Sequence, residues 1–99
     1  VDFACLDLSF IRLNKVFPAL LRVLKPGAFW VALIKPQFEA AKSDVPEGGV
    51  ITDLSLRSSI CARVFAEART AGLEPIEVLE SSLPGRDGNI EFLLLGQKI

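Results

Sequence analysis

Residues 28–41 read AFWVALIKPQFEAA, and the break inside that stretch decides the fold. Ala28 to Ile34 are all apolar, without alternation, as in a strand covered on both faces within a parallel sheet. Lys35 and Pro36 then end the run. A proline cannot donate to a sheet ladder, so the strand stops there. Its last residue is an ammonium at the carboxyl end of a buried strand, where ligands gather in open α/β sheets.

Working outward, VDFACLDL (1–8) has the same character and ends in Asp7 and Ser9, which predicts another strand buried on both faces. Between the two, Leu13, Val16, Phe17, Leu20, Leu21 and Leu24 recur at helical spacing and form one stripe. Pro18 falls in the first turn, where it is tolerated, and KPG (25–27) stops the helix. Downstream, residues 36–52 make a connection longer than most, the kind that tends to be functional or mobile. Thr52 or Asp53 can cap a helix that buries Leu56, Ile60, Cys61, Val64, Phe65 and Ala68 and stops at Gly72. EPIEVLE (74–80) alternates as a partly exposed strand, SSLPGRDGN (81–89) is turn material, and IEFLLLGQK (90–98) is a last, more buried strand. The order β-α-β-α-β-β implies an α/β fold, a parallel sheet ending in an antiparallel hairpin.

Composition narrows the function. The chain has 99 residues, 51% hydrophobic, with net charge −1 and mean hydropathy +0.42. Residues 1–99 therefore form at most one domain, rich in apolar surface that something else, or a second copy, should cover. There is no methionine and the first residue is Val1, so the chain reads as a piece of a longer protein. The absence of histidine excludes imidazole triads and imidazole zinc sites. No apolar run approaches the roughly 20 residues that cross a bilayer. Cys5 and Cys61 sit in apolar settings without metal-ligand or CxxC spacing and read as buried free thiols. The near-neutral charge argues against a self-sufficient nucleic-acid binder.

Strand direction brings three ionisable groups to one rim. Asp7 and Lys35 end two strands that run parallel, and Glu91 begins a strand that runs back. Each alone reads as an ordinary charge reaching water; together they form a candidate site. Gln37 and Phe38, just past Lys35, are candidates for lining a substrate pocket. Phe29 and Trp30 read as core rather than as base-stacking platforms. Arg12, Lys15, Arg22 and Lys25 lie opposite the first helix's apolar stripe, as a solvated face or as a track for RNA phosphates. Arg57, Arg63 and Arg69 are spread around the second helix and make no stripe.

LDLSFIRL (6–13), LIKPQFEA (33–40) and GRDGNIEFLL (85–94) resemble, in order and spacing, three motifs of the TlyA, or hemolysin-A-like, family of FtsJ-type RNA 2′-O-methyltransferases. GGVITD (48–53) is similar to the family's run before its late helix. The resemblance spans nearly the whole chain. It implies a Rossmann-like S-adenosylmethionine methyltransferase fold, of which residues 1–99 would be the carboxyl half. It also implies a Lys-Asp-Lys-Glu catalytic tetrad, whose last three members match Asp7, Lys35 and Glu91. The first lysine and the glycine-rich turn that receives S-adenosylmethionine would lie upstream, since the chain contains no GxG.

Chemistry gives the lysine a task. Methylating a ribose 2′-hydroxyl requires removal of a weakly acidic proton, and an amine accepts one only when neutral. Neighbouring carboxylates favour the charged form, so Lys35 of this piece is expected to stay protonated near neutral pH. The parent protein is then expected to be a cytoplasmic enzyme that methylates ribosomal RNA with S-adenosylmethionine, and the piece alone to be inactive. The alternative is a non-catalytic α/β interaction module, which self-associates as a homodimer through an uncovered sheet edge. Membrane lysis is suggested only by the family's older name.

Overall fold

The structure, a computed structural model, describes residues 1–81 and 88–99. Four strands, β1 (Phe3–Leu6), β2 (Phe29–Ile34), β3 (Glu74–Glu80) and β4 (Phe92–Gln97), form one sheet in the order β1-β2-β4-β3. β1 and β2 are parallel; β4 runs antiparallel to both β2 and β3. The expected parallel pair followed by an antiparallel hairpin is present, with β4 inserted between β2 and β3. Most of the turn read at 81–89 lies outside the described residues.

Helices α1 (Phe17–Val23) and α3 (Leu54–Thr70) contribute to a single core. Phe17 and Leu20 of α1, and Ile60, Val64 and Ala68 of α3, cluster with Trp30, Ala32, Ile34 and Leu94. Alternation along β2 sends Trp30, Ala32 and Ile34 to this covered side and Phe29, Val31 and Leu33 to the other. Full burial of a side chain such as Ile34 stabilises by roughly 1.5–3 kcal/mol. Gly96 faces Trp30 across the ladder, and a Cβ there would stand 2.3 Å from the indole ring. Only glycine leaves room for that ring.

Local signals account for the ends of α3. The Asp53 side chain accepts the Leu56 N–H at 3.1 Å, satisfying one of the orphan donors of the first turn. Gly72, at φ +90°, takes the left-handed conformation that ends the helix.

Four expectations are corrected. The stripe from Leu13 to Leu24 is not one helix: a 3-10 turn (Leu13–Lys15) precedes α1, and the two meet at Val16. Pro18 lacks an N–H and crowds the carbonyl four residues back, so the ladder cannot run through it. The connection at 36–52 contains a short helix, α2 (Pro36–Glu39), and a 3-10 turn (Lys42–Asp44). β1 and β2 are not buried on both faces: Phe3 is 56% and Phe29 47% exposed. Cys5 is exposed, and Cys61 only half-buried. The common reason for Phe3, Phe29 and Cys5 is that the described helices cover one side of the sheet and leave these residues on the open side; Cys61 lies on α3, outside the sheet.

Candidate active site

The site is built where two chain segments leave the sheet at the same end. β1 and β2 run parallel, with Leu6 beside Ala32, so Asp7 and Lys35 emerge at one rim. β4 runs the other way, with Phe92 beside Ile34, so Glu91, one residue earlier, starts at that rim. The segment after β1 carries Asp7, Ser9 and Phe10. The segment after β2 carries Lys35 and the single turn of α2.

A cleft of about 600 Å³ opens there, lined by Asp7, Ser9, Phe10, Lys35, Gln37, Phe38, Asn89 and Glu91. All five residues singled out from the sequence, Asp7, Lys35, Glu91, Gln37 and Phe38, are on its wall. The Lys35 ammonium, 13% exposed, pairs with the Asp7 carboxylate at 2.5 Å and donates to Ser9 Oγ at 3.4 Å. Asp7 is 62% exposed, so solvent screens the pair and its worth to stability is about 1 kcal/mol or less. Glu91 shares the cleft but makes no ion pair with Lys35 among the described residues.

The sequence reading missed three lining residues. Ser9 and Phe10 follow Asp7 directly, and Asn89 precedes Glu91 by two, so position within the same motifs was the available signal. Phe10 is 89% exposed and its ring meets Phe38 at 4.8 Å between centroids. Its φ of +63° is a left-handed conformation that costs a residue with a Cβ about 1–2 kcal/mol. Asn89 is buried at 2% exposure. Its amide accepts from Ile51 N–H at 3.0 Å and donates to the Gly49 carbonyl at 2.8 Å, so it ties residues 49–51 to the start of β4. Arg57 donates twice to the Ile51 carbonyl, at 3.1 and 2.7 Å, closing the same anchor from α3.

One cation, two carboxylates, a hydroxyl, two amides and two aromatic rings can orient a hydroxyl on a planar, ring-bearing substrate. The arrangement supplies no metal cluster: no group of three histidine, cysteine, aspartate or glutamate side chains is placed to hold an ion among the described residues. Among them, too, no helix is long and apolar enough to cross a membrane.

The chain falls inside a known class. The FtsJ-like methyltransferase family matches residues 1–98, and the chain belongs to that family. It is 43% identical over 94 residues to the 16S/23S rRNA (cytidine-2′-O)-methyltransferase TlyA of Mycobacterium tuberculosis, covering 95% of this chain and 35% of that protein. A hemolysin-like protein of Streptococcus thermophilus is 38% identical, with TM-score 0.93 over 98% of this chain and 35% of the other. A SAM-dependent methyltransferase of Methanosarcina mazei, 18% identical, shares the fold at TM-score 0.60 over 99% of this chain and 59% of its own. The sheet is thus the Rossmann-like sheet of S-adenosylmethionine methyltransferases. The chain spans about a third of the length of the curated relatives it matches.

Proposed function

We propose that residues 1–99 are the carboxyl half of the methyltransferase domain of an S-adenosylmethionine-dependent enzyme that methylates ribose 2′-hydroxyls of ribosomal RNA, and that Asp7, Lys35 and Glu91 are its catalytic residues on this chain. The observation that carries the reading is the largely buried Lys35 ammonium, held by Asp7 and Ser9, in one cleft with Glu91. The family match and the 43% identity to an rRNA (cytidine-2′-O)-methyltransferase support it.

The parts take these roles. Asp7 and Ser9 aim the Lys35 nitrogen into the cleft, and that nitrogen orients the ribose hydroxyl that is to be methylated. The proton leaving the hydroxyl needs an acceptor within hydrogen-bond reach, and the Lys35 amine, once it has released its own proton, fills that role. Glu91, which lines the same cleft, contributes a second carboxylate beside the reacting hydroxyl. Gln37 and Phe38, with Phe10 against Phe38, bind the nucleoside around the reacting hydroxyl.

The described residues do not fit the cofactor. They contain no GxG turn of the glycine-rich kind that receives S-adenosylmethionine. We propose that the rest of a protein of the relatives' length holds S-adenosylmethionine, and that this chain alone neither binds it appreciably nor catalyses. The reading places the enzyme in the cytoplasm, with ribosomal RNA.

The test is methyl transfer by the full-length protein from labelled S-adenosylmethionine to ribosomal RNA, with the product nucleoside identified by mass spectrometry. A 2′-O-methyl nucleoside is expected, and Lys35→Ala lowers kcat by roughly 10²–10⁴-fold, the usual contribution of a positioned acid or base. A base-methylated product, or full activity in Lys35→Ala, overturns the assignment.

A second reading has its own observation, the uncovered side of the sheet. Phe3, Phe29, Ile76 and Leu79 are each about half exposed, and β1 is an edge strand. We propose that the isolated chain forms a homodimer through this surface. Sedimentation of the isolated chain as a monomer at high concentration excludes it. Membrane lysis rests on the hemolysin name alone.

A further inference from the structure

Glu39 is the one buried charge among the described residues, at 2% exposure. Its Oε2 accepts the Leu13 backbone N–H at 2.8 Å, and its Oε1 accepts from Arg63 Nη2 at 2.7 Å. Arg63 Nη1 also donates to the Glu39 carbonyl at 2.8 Å. Three separate segments are therefore joined at one carboxylate: the start of the 3-10 turn at Leu13, the end of α2, and the middle of α3.

Burying a carboxylate is unfavourable unless it is paired and hydrogen-bonded, and an apolar side chain in such a place is often as stable. What the carboxylate adds is a fixed distance. Residues 7–12 run between two clamps, the β1–β2 ladder at Leu6 and the Glu39 bond at Leu13. One wall of the cleft, with Asp7 and Ser9, lies on this span. The facing wall, with Lys35, lies four residues before Glu39 on the segment that Glu39 terminates. Glu39 itself lines no part of the cleft.

We infer that Glu39, gripped by Arg63, is a positioning residue that sets the two walls of the cleft at the separation where the Lys35 ammonium meets Asp7 and Ser9. The role in catalysis rests on the methyltransferase reading above; the role in geometry does not.

Two readouts on the full-length protein separate these. The first is the rate of Lys35 acetylation by acetic anhydride, followed by mass spectrometry. The second is kcat and KM for RNA methylation. Glu39→Ala releases the span at Leu13, so Lys35 acetylation rises about tenfold and kcat falls about 10–100-fold, the scale of a misplacement near 1 Å, with less change in KM. Glu39→Gln, which keeps an oxygen for the Leu13 N–H, falls between the wild type and Glu39→Ala and carries the test where Glu39→Ala does not fold. Leu73→Ala, a core truncation away from the cleft, serves as the control for lost stability and changes neither readout. Equal effects of the Glu39 variants and Leu73→Ala on both readouts overturn the inference, and so does unchanged Lys35 acetylation in both Glu39 variants. If the wild type methylates no RNA while the Glu39 variants still expose Lys35, the functional reading fails and the positioning role stands.

Discussion

The two sides of the sheet are made of similar residues and live in different surroundings. On one side Trp30, Ala32, Ile34 and Leu94 are fully buried under α1 and α3. On the other, Phe3 and Phe29 lie side by side in register and face outward. Within β2, Trp30, Ala32 and Ile34 take the covered side and Phe29 the open side from alternate positions, so the contrast does not come from composition. It teaches that an unbroken apolar strand records a demand for two covering layers, while this chain's described residues supply one.

The contrast can be broken most directly by paired truncations in the isolated chain. Trp30→Ala should cost about 3–5 kcal/mol, as for large core aromatics. Phe29→Ala should stay within about 1 kcal/mol if its side remains in water. Urea denaturation measures both. A Phe29→Ala cost that rises toward that of Trp30→Ala as protein concentration increases would mean that a second copy covers the open side.

Thiol chemistry gives an independent view. Burial pushes the Cys61 thiol up from 9.0 to about 11, so at pH 8 its reactive thiolate is about a hundredth of that of a thiol titrating at 9.0. Cys5, exposed on the open side, should take up maleimide first. Cys61 should follow only at strongly alkaline pH or on unfolding. Protection of Cys5 at high protein concentration, with Cys61 unchanged, would locate the self-association at β1.

A smaller effect sharpens the covered side. Gly96→Ala forces a methyl group against the Trp30 ring and should destabilise by about 1–3 kcal/mol, as overpacking does. A neutral result in thermal unfolding would mean that the indole shifts freely, contrary to a close-packed layer.

The smallest effect is a pH slope. Burial, the dominant cause, raises the Glu39 carboxyl above its ordinary 4.5, aided by Glu67 and opposed by the Leu13 N–H, Arg63 and Arg12. A raised folded pKa means that Glu39 favours the folded state fully below pH 4.5, and that this contribution is lost as pH rises through the raised value. Between those two points the wild type should lose stability from this residue, and Glu39→Gln should lack that part of the slope. Unfolding free energies of both proteins across mildly acidic pH measure the difference.

Much of the candidate site was legible because it depends on strand direction. Asp7, Lys35 and Glu91 sit at strand ends, and the βαβ order with a final reversal is enough to bring those ends together. Gln37 and Phe38 came with Lys35 as its immediate followers. Phe10 was not legible: an exposed aromatic in a left-handed conformation depends on how the span between Leu6 and Leu13 is clamped. Nor was Glu39, a carboxylate that looks like any polar residue on a short turn until Arg63 reaches it from α3.

By itself, the sequence determined the order of elements, the start of α3 at Thr52 or Asp53 and its end at Gly72, and the gathering of an amine and two acids at one rim. These follow from short-range rules: capping, backbone freedom, and the direction a strand must run. Tertiary structure alone decided which strand face is covered, where the helix stripe breaks into two pieces, and that Glu39 links both walls of the cleft to α3. Those depend on contacts between residues far apart in the chain, and local apolarity or charge carries no information about which distant partner arrives.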